Sequence, residues 1–225
     1  MATRFRYPTG ARPLLIEETA RRRSIEARFV SLLEDAGFAE VVLPIIDFAE
    51  PYTDVMARGA AKQSYRFTDR DGELVAIRSD FTPMVARALA PSLNGNLPLR
   101  VFYRGDVIRC EATRLGSNRE LFQIGAEIVG DDSTEADVAI LQLAASLASI
   151  LDPDPLVVYT GGPSLDDPRF VQHEEETDTG YYTGIRLWVY GKDRRTPIAR
   201  GGRYDSLYAR FGADVPAAGF TFTVN

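Results

Sequence analysis

The sequence predicts an α+β fold: a mostly antiparallel sheet flanked by helices on one face, in a single domain over residues 1–225. Three observations carry this expectation. Pairs of β-rich runs are joined by short polar turns, as in "SYRFTDRDGELVAIRSD" around Asp71-Gly72. Two long stretches repeat apolar residues at three- and four-residue steps, the spacing of a helix with one buried face. Strand-helix-strand crossovers, the unit of parallel sheets, are few.

Taken in order, "RPLLIEETARRRSIEARFVSLLEDAGF" reads as an amphipathic helix with Leu15, Ile25, Phe29, Leu32 and Leu33 facing inward and Gly37 at its stop. "AEVVLPIID" is strand-like, with Pro44 demanding an edge or a break because it cannot donate to a ladder. After the Asp71-Gly72 hairpin, "TPMVARALA" reads as a helix with Thr82 at its N-cap and Pro83 at its first position, ended by "PSLNGNLP". "VIRCEATRLGSNRELFQIGAEIVG" is a second hairpin. "STEADVAILQLAASLASIL" is the other strong helix, capped by Ser133 or Thr134, with Val138, Leu141, Ala145 and Leu147 or Ala148 inward. "PLVVYTG" is an apolar strand expected at the sheet centre, and the polar "GPSLDDPRFVQHEEETDTG" a loop. "YYTGIRLWVYG" and "TPIARGGRYDSLYARFG" supply a hairpin and a short helix, and "AAGFTFTVN" a last strand.

At 225 residues, 45% hydrophobic and 26% charged, the chain can bury a sizeable core. No apolar run approaches the roughly 20 residues that cross a bilayer, and no apolar segment follows Arg4 and Arg6, so a cytoplasmic location without a membrane partner is expected. One cysteine, Cys110, excludes an intramolecular disulfide and a thiolate metal cage; one histidine, His173, excludes a His-rich metal site. His173 is expected at the surface. A net charge of -6 argues against nucleic acid, and the Arg21, Arg22, Arg23 cluster reads as a solvated or interfacial helix face. Glu174, Glu175 and Glu176 read as a solvated run.

The chemistry concentrates on the hairpin of residues 107–130. Counting by twos puts Phe122, Ile124, Ala126 and Ile128 on one face, and Gln123, Gly125 and Glu127 on the other, with Arg109 and Glu111 on the polar side. Groups of this kind do not sit unpaired beneath helices, where a broken buried charge pair costs about 3–5 kcal/mol. An open sheet face is therefore expected, with Gly125 leaving room for a ligand and Tyr181 and Tyr182 orienting it. Carboxylates, an arginine and tyrosine hydroxyls together suit a free amino acid such as histidine.

These stretches resemble the catalytic core of histidyl-tRNA synthetase, a class II aminoacyl-tRNA synthetase fold, and especially the regulatory subunits of ATP phosphoribosyltransferase. "FAEVVLPIIDFAEPY" is similar to the first family motif, which builds a dimer interface, and "VIRCEATRLGSNRELFQIGAEIVG" to the second. The resemblance implies a histidine-type pocket of Asp80, Thr82, Arg109, Gln123, Glu127, Tyr181, Tyr182 and Tyr204, with Arg109 and Glu111 as a nucleotide-binding remnant. "IRSDFTP" carries Asp80 and Thr82, with Ser79 for the usual proline, and "ARGGRYDSL" carries Tyr204. Asp205 and Arg203 are divided between turn-stabilising and catalytic roles.

Several departures from the pattern bear on activity. Thr177 stands where synthetases have an arginine before the tyrosine pair, and no arginine follows "AAGFTFTVN". Losing one such electrostatic group costs about 2.7–4 kcal/mol in barrier. No helical insertion domain or anticodon-binding domain is recognisable. The resemblance therefore implies a non-enzymatic subunit with no catalytic residue and no cofactor. It would activate a short-form ATP phosphoribosyltransferase catalytic subunit in histidine biosynthesis, as homodimers within a hetero-octamer, and sense histidine. The alternative is an ATP-dependent amino-acid adenylating enzyme or ligase in which Arg119 or Arg186 replaces a lost cation. A third reading is a homodimer that binds no ligand.

Overall fold

The computed structural model describes residues 7–53, 64–93, 95–110, 118–174 and 181–224. Helix α1 (Ile16–Asp35) leads through β1 (Ala39–Glu40) to a small three-stranded sheet of β2 (Ile46–Phe48), β3 (Arg66–Thr68) and β4 (Leu74–Ile77). Helix α2 (Thr82–Leu89) precedes the long hairpin of β5 (Leu99–Ile108) and β6 (Glu120–Val129). Helix α3 (Thr134–Leu151) is followed by β7 (Leu156–Thr160), β8 (Phe170–His173), β9 (Arg186–Tyr190), β10 (Pro197–Arg203) and β11 (Ala217–Val224). The large sheet runs β1-β5-β6-β11-β10-β9-β7-β8. It is antiparallel except at its two edges, where β1 lies parallel to β5 and β8 parallel to β7.

Alternation fixes which face each side chain takes. Phe122, Ile124, Ala126 and Ile128 of β6 join Phe220 and Phe222 of β11 and Leu187 and Val189 of β9 in one core, with Phe29 and Leu33 of α1 and Ile140, Leu141 and Leu147 of α3. Phe29 meets Phe222 edge-on at 5.2 Å between ring centroids. By length and apolarity alone α3 could cross a membrane, yet eight of its residues are buried, and it packs against β7, β9 and β11. Ser133 caps it, accepting from the Ala136 N–H at 3.2 Å. Gly37, at φ +82°, ends α1 as expected: its N–H reaches Glu34 O and that of Phe38 reaches Leu33 O.

Tertiary contacts override several expectations. Helix α1 starts only at Ile16, and Leu15, at its N-cap position, is exposed rather than inward. Val138 is half-buried, since α3 turns the Ile140–Leu141 side to the sheet. Strand β7 is second from the edge, not central. The segment expected as a loop after it contains β8, which covers the β7 edge and leaves His173 exposed on a strand. The break at Pro44 and the Asp71-Gly72 turn are both present.

Candidate functional site

The second face of the sheet is not open where the carboxylate lies. Helix α2 and the hydrophobic residues Phe81, Met84 and Val85 cover β5 through Val101, Tyr103 and Val107. Further along, Ala86 and Ala90 pack with Val129, Tyr204 and Tyr208. Glu127 is 1% exposed and Gln123 5%. The expectation of a solvent-facing polar surface at these two residues is therefore corrected: apolar side chains of α2 gain more by packing on β5 than the polar row gains from water.

Glu127 is held through one oxygen. Thr82 Oγ1 donates to Glu127 Oε1 at 3.0 Å, and Tyr103 Oη donates to the same atom at 3.2 Å. Thr221 Oγ1 lies 2.6 Å from Tyr103 Oη and, with the phenol proton spent on Glu127, acts as donor there. Thr82 therefore does not cap α2. It is the first helical residue, Phe81 occupies the cap position, and the hydroxyl turns to the carboxylate. Two glycines explain how the cluster fits. Tyr103 pairs directly with Gly125, and a Cβ on Gly125 would lie 2.3 Å from Tyr103 Oη, so the tyrosine, not a ligand, takes that space. A Cβ on Gly219 would lie 1.6 Å from Glu127 Oε2.

Around this carboxylate the structure gathers most of the residues singled out from the sequence. Asp80 sits at the start of α2, within electrostatic range of Glu127, Tyr103, Tyr181 and Tyr182 and countered by Arg109. The rings of Tyr181 and Tyr182 meet at 5.0 Å, and Tyr181 lies 5.8 Å from Tyr204. Burial pushes Glu127 up to about 8, the negative charge of Asp80 adding to it while the Thr82 and Tyr103 hydrogen bonds oppose it. Burial also raises Asp80, against the pull of Arg109, and lifts Tyr181 and Tyr208 well above the usual phenol range. Among the described residues, the buried side-chain atoms without a hydrogen-bond partner include Glu127 Oε2, Tyr204 Oη and Tyr208 Oη in this region, and Gln123 Oε1 on the same strand as Glu127. Buried orphans are rare enough in folded proteins that a cluster marks a place for a ligand or ordered water. Gln123 is the outlying member, about 13 Å along the strand from Glu127 at ~3.3 Å per residue.

Four participants, Tyr103, Tyr208, Gly219 and Thr221, are absent from the sequence-derived set. Tyr103 was legible in principle, as a large residue directly opposite Gly125 in the hairpin register. The others come from β11 and from the 3-10 turn at Tyr208–Phe211, whose approach no local pattern announces. Arg203 and Asp205 are structural: Arg203 bonds Asp137 at 2.9 and 2.7 Å, the Asp131 carbonyl at 3.0 Å and Asp205 at 3.2 Å. Asp205 also accepts from the Ala217 N–H and from Thr183 Oγ1. Arg78 clamps the segment before Asp80, donating to the Leu43 and Asp106 carbonyls over the Phe81 ring. Of the two proposed replacement cations, Arg119 donates to Tyr65 Oη at 2.9 Å, and Arg186 stacks between Tyr182 and Trp188. Glu111 and Thr177 lie outside the described residues.

Comparison with known proteins agrees with this geometry. A family model described as histidyl-tRNA synthetase matches residues 10–165 and 171–225. The ATP phosphoribosyltransferase regulatory subunit of Symbiobacterium thermophilum is 35% identical over 319 aligned residues, covering 99% of this chain and 79% of that protein. The histidine–tRNA ligase of Rhodospirillum rubrum is 34% identical over 185 residues, 79% of this chain but 43% of the ligase. A crystal structure titled as an ATP phosphoribosyltransferase regulatory subunit/histidyl-tRNA synthetase, from Bacillus halodurans C, superposes with a TM-score of 0.86 at 18% identity, covering 99% of this chain and 82% of that one. The antiparallel sheet with flanking helices is thus the class II core shared with histidyl-tRNA synthetases.

Proposed function

The chain belongs to the histidyl-tRNA synthetase family, and we propose that within it the chain serves as the regulatory subunit of ATP phosphoribosyltransferase in histidine biosynthesis. The observation that carries this role is the match to the Symbiobacterium thermophilum regulatory subunit across 99% of this chain. In this reading the chain performs no transfer itself. It activates a short-form catalytic partner and presents the Glu127 cluster to free histidine, whose ammonium or imidazole would satisfy Glu127 Oε2 and whose carboxylate would face Arg109. A ligand bound there biases an interface only by its difference in affinity for two states, so histidine must favour one arrangement of the assembly.

Several observations support the finer points. Thr177 in place of a cation weakens stabilisation of an adenylation transition state. The 319-residue alignment against a chain of 225 residues supports an internal segment in the relative without a counterpart here. Val42, Ile45, Ile46 and Phe48 are exposed along the stretch that resembles the family dimer motif, which supports a homodimer as the unit entering a hetero-octamer. Mixing the purified chain with a short catalytic subunit should raise phosphoribosyl-ATP formation. No change in that rate would count against the role, and robust ATP–pyrophosphate exchange with any amino acid would instead favour the adenylating alternative. Titration calorimetry with histidine tests the ligand separately, with no heat expected if the chain is a bare scaffold.

A further inference from the structure

We infer that Tyr208 is a specificity-determining residue of the Glu127 cluster: its hydroxyl and Glu127 Oε2 form a floor that reads the side-chain head of a bound amino acid and selects a ring with two nitrogens. This role rests on the histidine reading of the cluster, to which it adds a residue and a rule of selection. Depth separates the floor from the mouth. Glu127, Tyr204 and Tyr208 are each no more than 2% exposed, while Asp80, Thr82 and Tyr181 are half-buried. Asp80 and the Arg109 that counters it suit the ammonium and carboxylate of a zwitterion, which sends the side chain of such a ligand to the floor.

Strand register puts Tyr208 beside the carboxylate. Glu127 lies opposite Gly219, and Val129, two residues on and on the same face, lies opposite Ala217. Tyr208 opens the 3-10 turn Tyr208–Phe211 and packs with Val129, Ala217 and Ala86 of α2. Ala86 is one turn beyond Thr82, the residue that donates to the other oxygen of Glu127. A phenol standing on the Val129 rung therefore has about 7 Å, two strand residues, to cover towards Oε2. Burial, with the Glu127 charge adding to it, holds that phenol protonated. Among the described residues neither Tyr208 Oη nor Glu127 Oε2 has a hydrogen-bond partner, although both are buried. Leaving such groups unpaired is costly, and a ligand that pairs them is favoured accordingly. A phenol both donates and accepts, and a neutral imidazole carries one N–H and one bare nitrogen, so the ring can satisfy both atoms at once. A ring of similar shape without nitrogens leaves both unpaired and is rejected.

Tyr208→Phe removes the hydroxyl and keeps the ring. The full chain and this variant are titrated by calorimetry with L-histidine and with β-(2-thienyl)-L-alanine, and both are melted without ligand. Histidine should bind the variant about tenfold more weakly, as expected for the loss of one hydrogen bond. The thienyl analogue makes no such bond and should bind both proteins alike, whereas a role confined to packing would weaken both ligands together. Thienyl binding too weak to register agrees with rejection by the floor. The ligand-free variant should melt at or above the parent, because no bond within the protein is lost. A clear drop in melting temperature, an unchanged histidine affinity, equal weakening of both ligands, or a thienyl analogue that binds the parent as tightly as histidine would each overturn the role of Tyr208 alone. Histidine that fails to bind the parent would overturn the pocket reading and this role with it.

Discussion

Replacing Glu127 by Gln is the sharpest test of the buried cluster. The carboxyl titrates near its ordinary value of 4.5 in the unfolded chain and at about 8 in the folded one, because burial disfavours its charge. Its folded pKa is raised, so the folded state binds the extra proton between these values. Stability from this group is fully present below about 4.5 and is lost as pH rises towards 8. At about 1.4 kcal/mol per pH unit, the loss between roughly pH 5 and 8 comes to about 3–4 kcal/mol. For a chain of this size that is on the order of 10 °C in Tm. Gln keeps the shape and the acceptor for Thr82 and Tyr103 but does not ionise. The variant should match the parent near pH 5 and melt higher near pH 8, measured by circular dichroism across that range. Parallel Tm curves for the two proteins would show that Glu127 ionises as it does in water and would refute the account of the site.

The same geometry sets four further expectations. Gly219→Ala drives a methyl into Glu127 Oε2 and the Ala126 carbonyl, 2.5 Å from the added carbon, and should cost about 1–3 kcal/mol or more in urea unfolding; a neutral result would mean the carboxylate is not seated against β11. Arg203→Met leaves Asp137 buried without its cation and should cost about 3–5 kcal/mol; a loss below about 1 kcal/mol would demote that pair to a surface contact. If histidine binds as a cation at Glu127, it must expel the proton held there near pH 7, so calorimetric enthalpies should differ between buffers of different ionisation heat, and identical heats would argue for a neutral imidazole or another site. If the chain pairs through its exposed apolar stretch as proposed, Ile46→Asp should lower the mass read by light scattering from that of a dimer to that of a monomer while leaving the secondary structure intact, and an unchanged mass would place any self-association elsewhere.

Much of the architecture was written locally. The period of two in residues 120–129 already separated the Phe122–Ile128 face from the Gln123–Glu127 face, and the period of three to four did the same for α3, because backbone geometry alone sets those alternations. The turn at Gly72, the stop at Gly37 and the Ser133 cap follow from residues adjacent in the chain. Family-like spellings further drew attention to Asp80, Thr82, Glu127 and the tyrosines, which the fold gathers around one carboxylate. Other features depended on long-range packing. Whether the polar face stayed wet was decided by α2 settling on β5; the use of Thr82 as a donor to Glu127 rather than as a cap was decided by the chain folding back over a sequence separation of 45. The partners from β11, Gly219 and Thr221, and the place of β7 beside β8 rather than at the centre were likewise set by strand order. A sequence carries the periodicity of each element, but which face ends up beneath another element is a property of their joint packing, and that packing sets the burial that makes Glu127 hold its proton.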